Sequence, residues 1–416
     1  MNEGQRQLGE VQTVAPVQFM ARQSILDRNC KVHAYELLFR GGPENYFRQS
    51  DSASAMVMDK VLLYGLESLT GNKRAFINMD EETLRRDIAR LLPKTKVVLE
   101  ILESVPPSKE MLEVCHRLKE DGYSLALDDF TWMQEWEPFL DISDYVKVDF
   151  RATKPAEQDR LVRRLAGRNI GMLAEKIETR DEFQIAKDMG YSLFQGYFLT
   201  KPELLQRRAI PRSRVHYLRL LRLAADRELR FDKLEETVKE DPSLCYKLLR
   251  YLNSAAFNFR GRVGSIRQAL VLMGENEVRR WIAVAAAASM SEDQPSELIR
   301  IALVRAYFSE ELCKRIGAGI RANDGFLRGL LSVMDAILGI PREKVLAELK
   351  FSETVEKWLV DQPYLSYELY DALSAFEQGN WLPLSVQAAH LELDEEVVSE
   401  VYLWALERAD QIMSAG

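Results

Sequence analysis

Short hydrophobic runs alternate with longer amphipathic segments through the first half of the chain. Eight runs rich in aliphatic and aromatic residues predict β-strands; they span residues 17–26, 32–40, 75–79, 96–102, 124–130, 145–150, 171–177 and 192–199. Helical periodicity fills most of the intervals, over 51–70, 80–91, 107–121, 155–168 and 179–190. This alternation over about 200 residues predicts a (β/α)8-type barrel.

The connection between the first two predicted strands is unusually short. It consists of Asp27-Arg28-Asn29-Cys30, which permits a hairpin but is too short for the crossover that joins parallel strands. We therefore expect one antiparallel strand in an otherwise parallel barrel.

The second half of the chain, from about residue 212, has few strand signals. Helical periodicity runs through 213–227, 243–257, 265–290, 295–316, 326–339, 342–359, 366–378 and 394–413, with Gly and Pro breaks between. The predicted fold class is therefore α/β followed by all-α. The expected division is an N-terminal tail (1–14), a barrel domain (15–203), a linker (204–214) and a helical domain (215–416).

Polar side chains recur in or directly after the predicted strands of the barrel. They are Glu36, Asn78, Glu100, Asp128 with Asp129, Lys147, Glu175 with Glu178, and Gln195. An unpaired buried carboxylate is very costly, so strand interiors normally exclude such residues. Sites in these barrels lie at the carboxyl ends of the strands. The pattern therefore predicts one polar site, and converging carboxylates usually hold divalent cations.

Composition narrows the function classes further. The net charge of −8 argues against general nucleic-acid binding, which needs a basic excess. The four cysteines lie far apart without C-x-x-C spacing, which predicts reduced thiols and a cytoplasmic location. No apolar run reaches the roughly 18 residues of a membrane span. Arg279-Arg280 is a local basic spot, interpreted as a solvated helix face or as a DNA contact.

These residues stand in an order that resembles the EAL domain, the family that hydrolyses cyclic di-GMP to linear pGpG. The resemblance covers about 15–203, and the family's name motif appears as Glu36-Leu37-Leu38-Phe39-Arg40. The other matching motifs are Asn78, Glu100-Ile101-Leu102-Glu103, Asp128-Asp129-Phe130, Lys147-Val148-Asp149, Ala174-Glu175-Lys176-Ile177-Glu178-Thr179 and Gln195-Gly196-Tyr197.

The resemblance implies roles for these residues. The metal ligands, for a pair of Mg²⁺ or Mn²⁺ ions, would be Glu36, Asn78, Glu100, Asp128 and Asp129. Lys147, Glu175 and Glu178 would be the catalytic group if the protein is active. Arg40 and Gln195 would bind the ligand.

The second half resembles an HDOD domain, a helical relative of the HD phosphohydrolases. The matching residues are Asp241-Pro242-Ser243-Leu244, Lys247–Ala255, Ser265–Ala269, Leu272-Met273-Gly274 and Gly329-Leu330-Leu331-Ser332. HD hydrolases bind metal through His and a His-Asp dipeptide, but none of the four histidines here precedes Asp. We therefore expect no cofactor in this half.

Together the resemblances imply a bacterial EAL–HDOD signalling protein, and three functions are open. The leading one is a degenerate, catalytically silent barrel that regulates through protein contacts and senses cyclic di-GMP. The second is a Mg²⁺/Mn²⁺-dependent cyclic di-GMP phosphodiesterase, and the third is a protein-interaction scaffold without nucleotide. A homodimer is compatible with each, and the signalling partner is not identified.

Two departures from the family favour the silent form. Thr131-Trp132-Met133 replaces the Gly-rich loop that follows the Asp pair, and the bulky side chains close the mouth or form a protein interface instead. Lys176 replaces a glycine, and it either pairs with a neighbouring acid in place of a metal or is a solvated structural lysine.

Overall fold

The structure is a computed structural model that describes nine stretches of the chain. They are residues 18–41, 65–199, 212–226, 228–252, 265–291, 294–317, 322–338, 371–378 and 381–415. The predicted tail (1–14), almost all of the predicted linker (204–214), much of the first predicted helix (51–70) and the predicted helix 342–359 lie outside the described residues.

The first half forms a closed barrel of eight strands in chain order. The strands are β1 (Gln18–Asp27), β2 (Val32–Gly41), β3 (Arg74–Met79), β4 (Val97–Ile101), β5 (Ser124–Leu127), β6 (Tyr145–Asp149), β7 (Gly171–Glu175) and β8 (Leu193–Gln195). β1 is antiparallel to β2 and β8, and all the other neighbours are parallel. The predicted fold class and the single antiparallel strand are confirmed.

The β1–β2 turn shows why four residues suffice. The Asp27 carboxylate accepts hydrogen bonds from the main-chain N–H groups of Asn29 (2.8 Å) and Lys31 (2.9 Å). Cys30 takes the left-handed backbone conformation with φ of 56°. The aspartate thus replaces main-chain partners that the tight turn removes, and the chain reverses without a crossover.

The barrel interior begins with an apolar layer to which every strand contributes one residue. Its members are Ile25, Ala34, Phe76, Val98, Ala126, Tyr145, Leu173 and Leu193. A second and larger apolar cluster lies between the outer face of the strands and the surrounding helices. The barrel is therefore a packed core that carries its site at one end.

The described helices of the barrel lie in the predicted intervals except α4 (Glu137–Leu140), which was not predicted. They are α1 (Leu66–Thr70), α2 (Glu81–Arg85), α3 (Lys109–Glu120), α4 (Glu137–Leu140), α5 (Pro155–Leu165) and α6 (Arg180–Met189). The predicted helix 80–91 is divided into α2 and a 3₁₀ turn at Ile88–Leu91 because Asp87 has a φ of 54°.

The described part of the second half is helical. Its helices are α7 (Arg212–Ala225), α8 (Phe231–Lys239), α9 (Pro242–Leu252), α10 (Ile266–Met290), α11 (Ser296–Ile316), α12 (Ala322–Leu331), α13 (Met334–Leu338), α14 (Trp381–His390) and α15 (Glu395–Ala415), with a further helical stretch at 371–377. Sequence periodicity missed α8 and α14. Gly274, with φ of 75°, kinks α10, which was predicted as one helix.

The helical half packs against both faces of the β1–β2 hairpin. Ala21 on β1 belongs to the apolar core of the helical half, and Leu38 on β2 packs against it. Tyr35 on β2 donates a hydrogen bond to the buried Glu297 of α11 (3.3 Å). Arg22 on β1 pairs with Asp410 of α15 (3.3 Å). The first two strands thus belong to both halves of the molecule.

The interpretation of Arg279-Arg280 as a solvated helix face is wrong for Arg279. Arg279 is buried, and its guanidinium donates hydrogen bonds to the main-chain oxygens of Ala224 and Asp226 at the end of α7. Arg280 pairs with the buried Glu310. Both arginines stabilise helix packing, since a buried charge needs such partners.

Two further predictions concern the whole chain. The four cysteines are free thiols, as predicted, and Cys115 and Cys313 are buried. Among the described residues, no helix is long and apolar enough to cross a bilayer.

Candidate functional site

A ring of polar side chains lies directly above the apolar layer of the barrel. Successive side chains of a strand alternate between its two faces, so the residue two positions from each apolar residue also points into the barrel. This residue comes after the apolar one on the parallel strands and before it on the antiparallel β1. On every strand that residue is polar, and the ring consists of Gln23, Glu36, Asn78, Glu100, Asp128, Lys147, Glu175 and Gln195. The ring lies at the carboxyl-terminal ends of the seven parallel strands.

The ammonium group of Lys147 is the centre of this ring. Its Nζ lies 2.8 Å from an oxygen of Asp128, 2.8 Å from one of Glu175 and 3.4 Å from one of Glu36, and it also forms an ion pair with Glu100. Lys147 is 1% exposed and Glu100 is fully buried. Four strands thus contribute carboxylates to a single buried cation.

Two glutamine side chains extend the ring on the side of β1 and β8. Gln195 Nε2 donates to Glu36 Oε2 (2.6 Å) and to Gln23 Oε1 (2.7 Å). The register explains this contact, because Gln23 stands opposite Glu36, and Ile25 stands opposite Gln195. Gln195 therefore donates to the same Glu36 oxygen, Oε2, that Lys147 Nζ approaches at 3.4 Å.

Charge is unbalanced within the ring. Four carboxylates and one ammonium would carry a net charge of −3 if all were ionised. Burial, with the neighbouring Glu36 charge, raises the pKa of Glu100 well above its ordinary value despite Lys147. Burial likewise raises the pKa of Glu175 to about 8. Burial alone would lower the pKa of Lys147, but the surrounding carboxylates outweigh it and raise that pKa.

This electrostatic imbalance predicts a pH-dependent stability of the metal-free protein. The unfolded chain loses the Glu175 proton near the ordinary pKa of 4.5, whereas the fold retains it to about pH 8. The folded state therefore binds more protons between these values, and stability falls as the pH rises from about 5 to 8. We expect Glu175→Gln to reduce this fall, measured by urea unfolding in the presence of a chelator. Glu113→Gln, on an exposed helix position, is the control and should leave the slope unchanged; an equal slope in all three proteins would contradict the prediction.

Several oxygens of this region lack a hydrogen-bond partner. They include Asn78 Oδ1 and Glu100 Oε2, whereas Glu100 Oε1 forms the ion pair with Lys147, and Asp129 Oδ1 lies 3.7 Å from Lys176 Nζ. Such oxygens match the ligand preference of Mg²⁺ and Mn²⁺. No group of three or more His, Cys, Asp or Glu among the described residues is already arranged around a common metal position, because the ring carboxylates converge on Lys147. The donor set thus fits a divalent cation, and binding would require these carboxylates to turn from the lysine.

Lys176 lies beside the ring on the loop after β7. Its Nζ is 2.6 Å from Asp149 and 3.7 Å from Asp129. Of the two interpretations of this residue, pairing with an acid is the one observed. Lys176 has a φ of 56°, in the region that favours glycine, so the side chain is present at a backbone cost.

Three predicted site residues are not members of the ring. Glu178 is at the rim, where it pairs with Arg151 and where its main-chain N–H donates to Glu182 (2.7 Å). Arg40 is on β2, but its side chain is outside the described residues. Asp129 follows Asp128 at the carboxyl end of β5 with a φ of 38° and faces Lys176.

The aromatic side chains of the loop after Asp129 pack on the barrel itself. Trp136 is buried against Phe130 and Phe139. Trp132 stacks with the Arg164 guanidinium, 3.8 Å from the ring centroid, and donates a hydrogen bond to Glu137 (3.2 Å). Trp136 is therefore not a docking residue, and the contacts of Trp132 are with helices α4 and α5.

Comparison with known proteins identifies both halves. The EAL domain model matches residues 71–202 and the HDOD domain model matches residues 210–340. A protein of Vibrio cholerae named cyclic di-GMP phosphodiesterase CdgJ is 33% identical over 388 residues, covering 92% of this chain and 90% of the relative. The chain belongs to the EAL–HDOD family of bacterial signalling proteins.

Two further proteins are similar to this chain. The uncharacterized protein YuxH of Bacillus subtilis is 32% identical over 408 residues, covering 95% of this chain and 99% of the relative. Among solved structures, Klebsiella pneumoniae BlrP1, in a calcium and cyclic di-GMP complex, is 22% identical with a TM-score of 0.37. That match covers 45% of this chain and 56% of the other.

Sequence reasoning missed one member of the ring in the EAL barrel. Gln23 stands between Arg22 and Ser24, so three consecutive polar residues conceal the alternation of β1. The signal was nevertheless present: the antiparallel hairpin places Gln23 opposite Glu36, the first acid of the series. In a hairpin, residues directly opposite each other share a face.

Proposed function

We propose that the EAL barrel of this protein binds cyclic di-GMP at the polar ring and that the protein acts as a signalling receptor with little or no hydrolysis. The complete ring carries this proposal. Eight polar side chains occupy one level of the barrel, although burial makes an unpaired carboxylate costly. The name of the V. cholerae relative supports the choice of nucleotide.

A divalent cation, Mg²⁺ or Mn²⁺, would be held by oxygens of Glu36, Asn78, Glu100, Asp128 and Asp129. The oxygens without a hydrogen-bond partner in this set support the assignment. Such a cation supplies positive charge against the phosphodiester of the nucleotide. Within the chain, Gln195 orients the Glu36 carboxylate, and Lys147 keeps the other acids together.

Little hydrolysis is expected because two lysines already pair with the acids that would hold the metal ions. Lys147 contacts four of them, and Lys176 contacts Asp129 together with Asp149. A pair of metal ions must compete with both ammonium groups for the same oxygens. This competition lowers the affinity of the site for metal ions, so fewer molecules hold two ions at once. Any hydrolysis that needs two ions is slowed accordingly.

A second candidate function is cyclic di-GMP hydrolysis to pGpG. The name of the V. cholerae relative, which covers nearly the whole chain, favours it. In this case Glu175 would act as the general base, since burial brings its pKa to about 8, near the pH at which a base must work.

One experiment separates these functions. The purified full chain is titrated calorimetrically with cyclic di-GMP in the presence of Mg²⁺ or Mn²⁺, and the mixture is then analysed for pGpG. Binding without pGpG supports the receptor, and binding with pGpG that Glu36→Gln abolishes supports the phosphodiesterase. Absence of binding in both metals contradicts both and leaves a protein-interaction scaffold.

Removing the Lys176 charge should strengthen cation binding. We expect Lys176→Gln to raise the Mn²⁺ affinity by roughly threefold to tenfold, because a competing cation leaves Asp129 and Asp149. The measurement is calorimetric titration with Mn²⁺ alone. Lys119→Gln is the matched control: Lys119 forms an equally short pair with Asp144 (2.6 Å), which precedes β6 at the opposite end of the barrel. Equal affinities in the two variants would contradict the role given to Lys176.

A further inference from the structure

A continuous chain of hydrogen bonds connects the polar ring to the helical domain. It begins at Glu36, which accepts from Gln195, and Gln195 also donates to Gln23 Oε1. Gln23 Nε2 then donates to the main-chain oxygen of Glu377 (3.0 Å) and to Tyr197 Oη (3.2 Å). Only two side-chain amides thus separate a candidate metal ligand from the backbone of the helical half.

The far end of this chain is rigidly held. The Glu377 carboxylate accepts two hydrogen bonds from Arg305 on α11, at 2.9 Å and 2.7 Å. Arg305 is buried and also donates to Ser332 Oγ (3.3 Å). A two-point charge-assisted pair of this kind restricts both partners in orientation. The position of the Glu377 carbonyl is therefore determined by the packing of the helical domain.

The carbonyl determines which way both amides point. A main-chain oxygen only accepts hydrogen bonds, so Gln23 must present its NH₂ group to Glu377 and its oxygen to Gln195. Gln195 must then present its own NH₂ group to Gln23, and the same nitrogen donates to Glu36. The Glu36 carboxylate accepts from the same Gln195 nitrogen, so acceptors at the two ends of the chain, Glu36 and the Glu377 carbonyl, together hold both amides in one orientation.

We propose that Glu377 and Arg305 are positioning residues for the barrel site, acting through Gln23 and Gln195 on the Glu36 carboxylate. The contact works in both directions, because a coupling free energy between two sites is reciprocal. A cation or nucleotide that takes Glu36 or Gln195 therefore alters the contact of the helical domain with the barrel. This last step rests on the proposed function, whereas the coupling between the ring and Glu377 does not.

The coupling is tested without ligand by hydrogen–deuterium exchange of the full chain. Glu377→Gln weakens the Arg305 pair, and we expect exchange in the peptide covering 193–199 to rise at least about fivefold. Glu310→Gln is the matched control, since Glu310 is a buried α11 carboxylate paired with Arg280. In the other direction, the isosteric Glu36→Gln should change the exchange rate of the peptide 371–377. If the Arg305–Glu377 ion pair had only a structural role, a substitution at Glu36 would leave that rate unchanged.

A second variant, Gln23→Ala, provides the test if Glu377→Gln does not fold. Gln23→Ala removes the bridging amide but leaves the Arg305–Glu377 pair intact, so the effect of Glu36→Gln on 371–377 should disappear in it. The coupling is overturned if Glu377→Gln matches Glu310→Gln at 193–199, or if Glu36→Gln acts equally with and without Gln23.

The ligand step has its own readout. In wild-type protein, cyclic di-GMP with Mn²⁺ should alter exchange at 371–377 by at least twofold, whereas exchange at 231–239, which the hydrogen-bond chain does not reach, should stay unchanged. Bound nucleotide that leaves 371–377 unchanged overturns the ligand step. Failure of nucleotide to bind at all counts against the proposed function and leaves the ligand-free result to decide the coupling.

Discussion

Replacing Lys147 by methionine is expected to lower the free energy of unfolding by about 3–5 kcal/mol, the usual cost of leaving buried charges without their partner. The substitution nearly preserves side-chain volume, so a cavity contributes little to the loss. It removes the ammonium that contacts Glu36, Glu100, Asp128 and Glu175. These carboxylates would then repel one another in a site that excludes water. Urea unfolding at pH 8 in the presence of a chelator measures the effect.

Two controls distinguish this electrostatic cause from a packing defect. Lowering the pH to 5.5 should restore part of the stability of Lys147→Met, because protonation removes the repulsion. The double variant Lys147→Met/Glu100→Gln should be more stable than Lys147→Met alone at pH 8. Mn²⁺ should also raise the melting temperature of Lys147→Met more than that of the wild type, since it binds the folded state only. A loss that is independent of pH, Glu100 and Mn²⁺ would show that packing is the cause.

Gly196→Ala is expected to cost more than about 4 kcal/mol or to prevent folding, because both its backbone conformation and its surroundings exclude a side chain. Gly196 has a φ of +145°, and a Cβ there would lie 2.1 Å from the main-chain oxygen of Ile177 and 2.5 Å from its nitrogen. This backbone cannot easily retreat, since Ile177 N–H donates to the Gln195 oxygen (3.0 Å) and Phe198 N–H donates to the Ile177 oxygen (3.2 Å).

Gly167→Ala is the matched control for that substitution. Gly167 also has a positive φ, +86°, but no atom lies within 4 Å of its added Cβ. Only the backbone conformation is then unfavourable, at roughly 1–2 kcal/mol. The two variants are compared by thermal and urea unfolding, and any folded Gly196→Ala is also titrated with Mn²⁺, because Gln195 is the preceding residue. If both variants lost a similar free energy of unfolding, the close approach of residue 196 to Ile177 would not contribute to the cost.

Strand positions and ring positions follow from local periodicity, and the sequence predicted them well. All eight strands lie where hydrophobic runs indicate, and seven of the eight ring members were already identified as polar residues in or after those runs. Helices were less regular. Asp87 and Gly274 interrupt segments whose periodicity is continuous, since one left-handed residue breaks a helix without changing the apolar pattern.

Residues whose environment depends on distant elements were interpreted less well. Arg279 was predicted to face solvent, but besides Glu275 its partners are the main-chain oxygens of Ala224 and Asp226, more than 50 residues away at the end of α7. Trp132 was predicted to close the mouth or form an interface, whereas it stacks with Arg164 on α5. Gln23 was missed because its role depends on strand pairing and not on its own segment.

The sequence by itself determined the order of the strands, the antiparallel first strand and the level of the barrel at which the acids stand. These properties depend on alternation within one strand and on the length of one turn, which are local. Only the tertiary structure decided that four of those acids share Lys147, that Lys176 takes the charge of Asp129, and that Gln23 joins Gln195 to Glu377. Each of these side chains could pair with several polar groups. Which pair forms depends on distances that are set when the barrel closes and the helical half packs against it, and no single segment of the sequence encodes those distances.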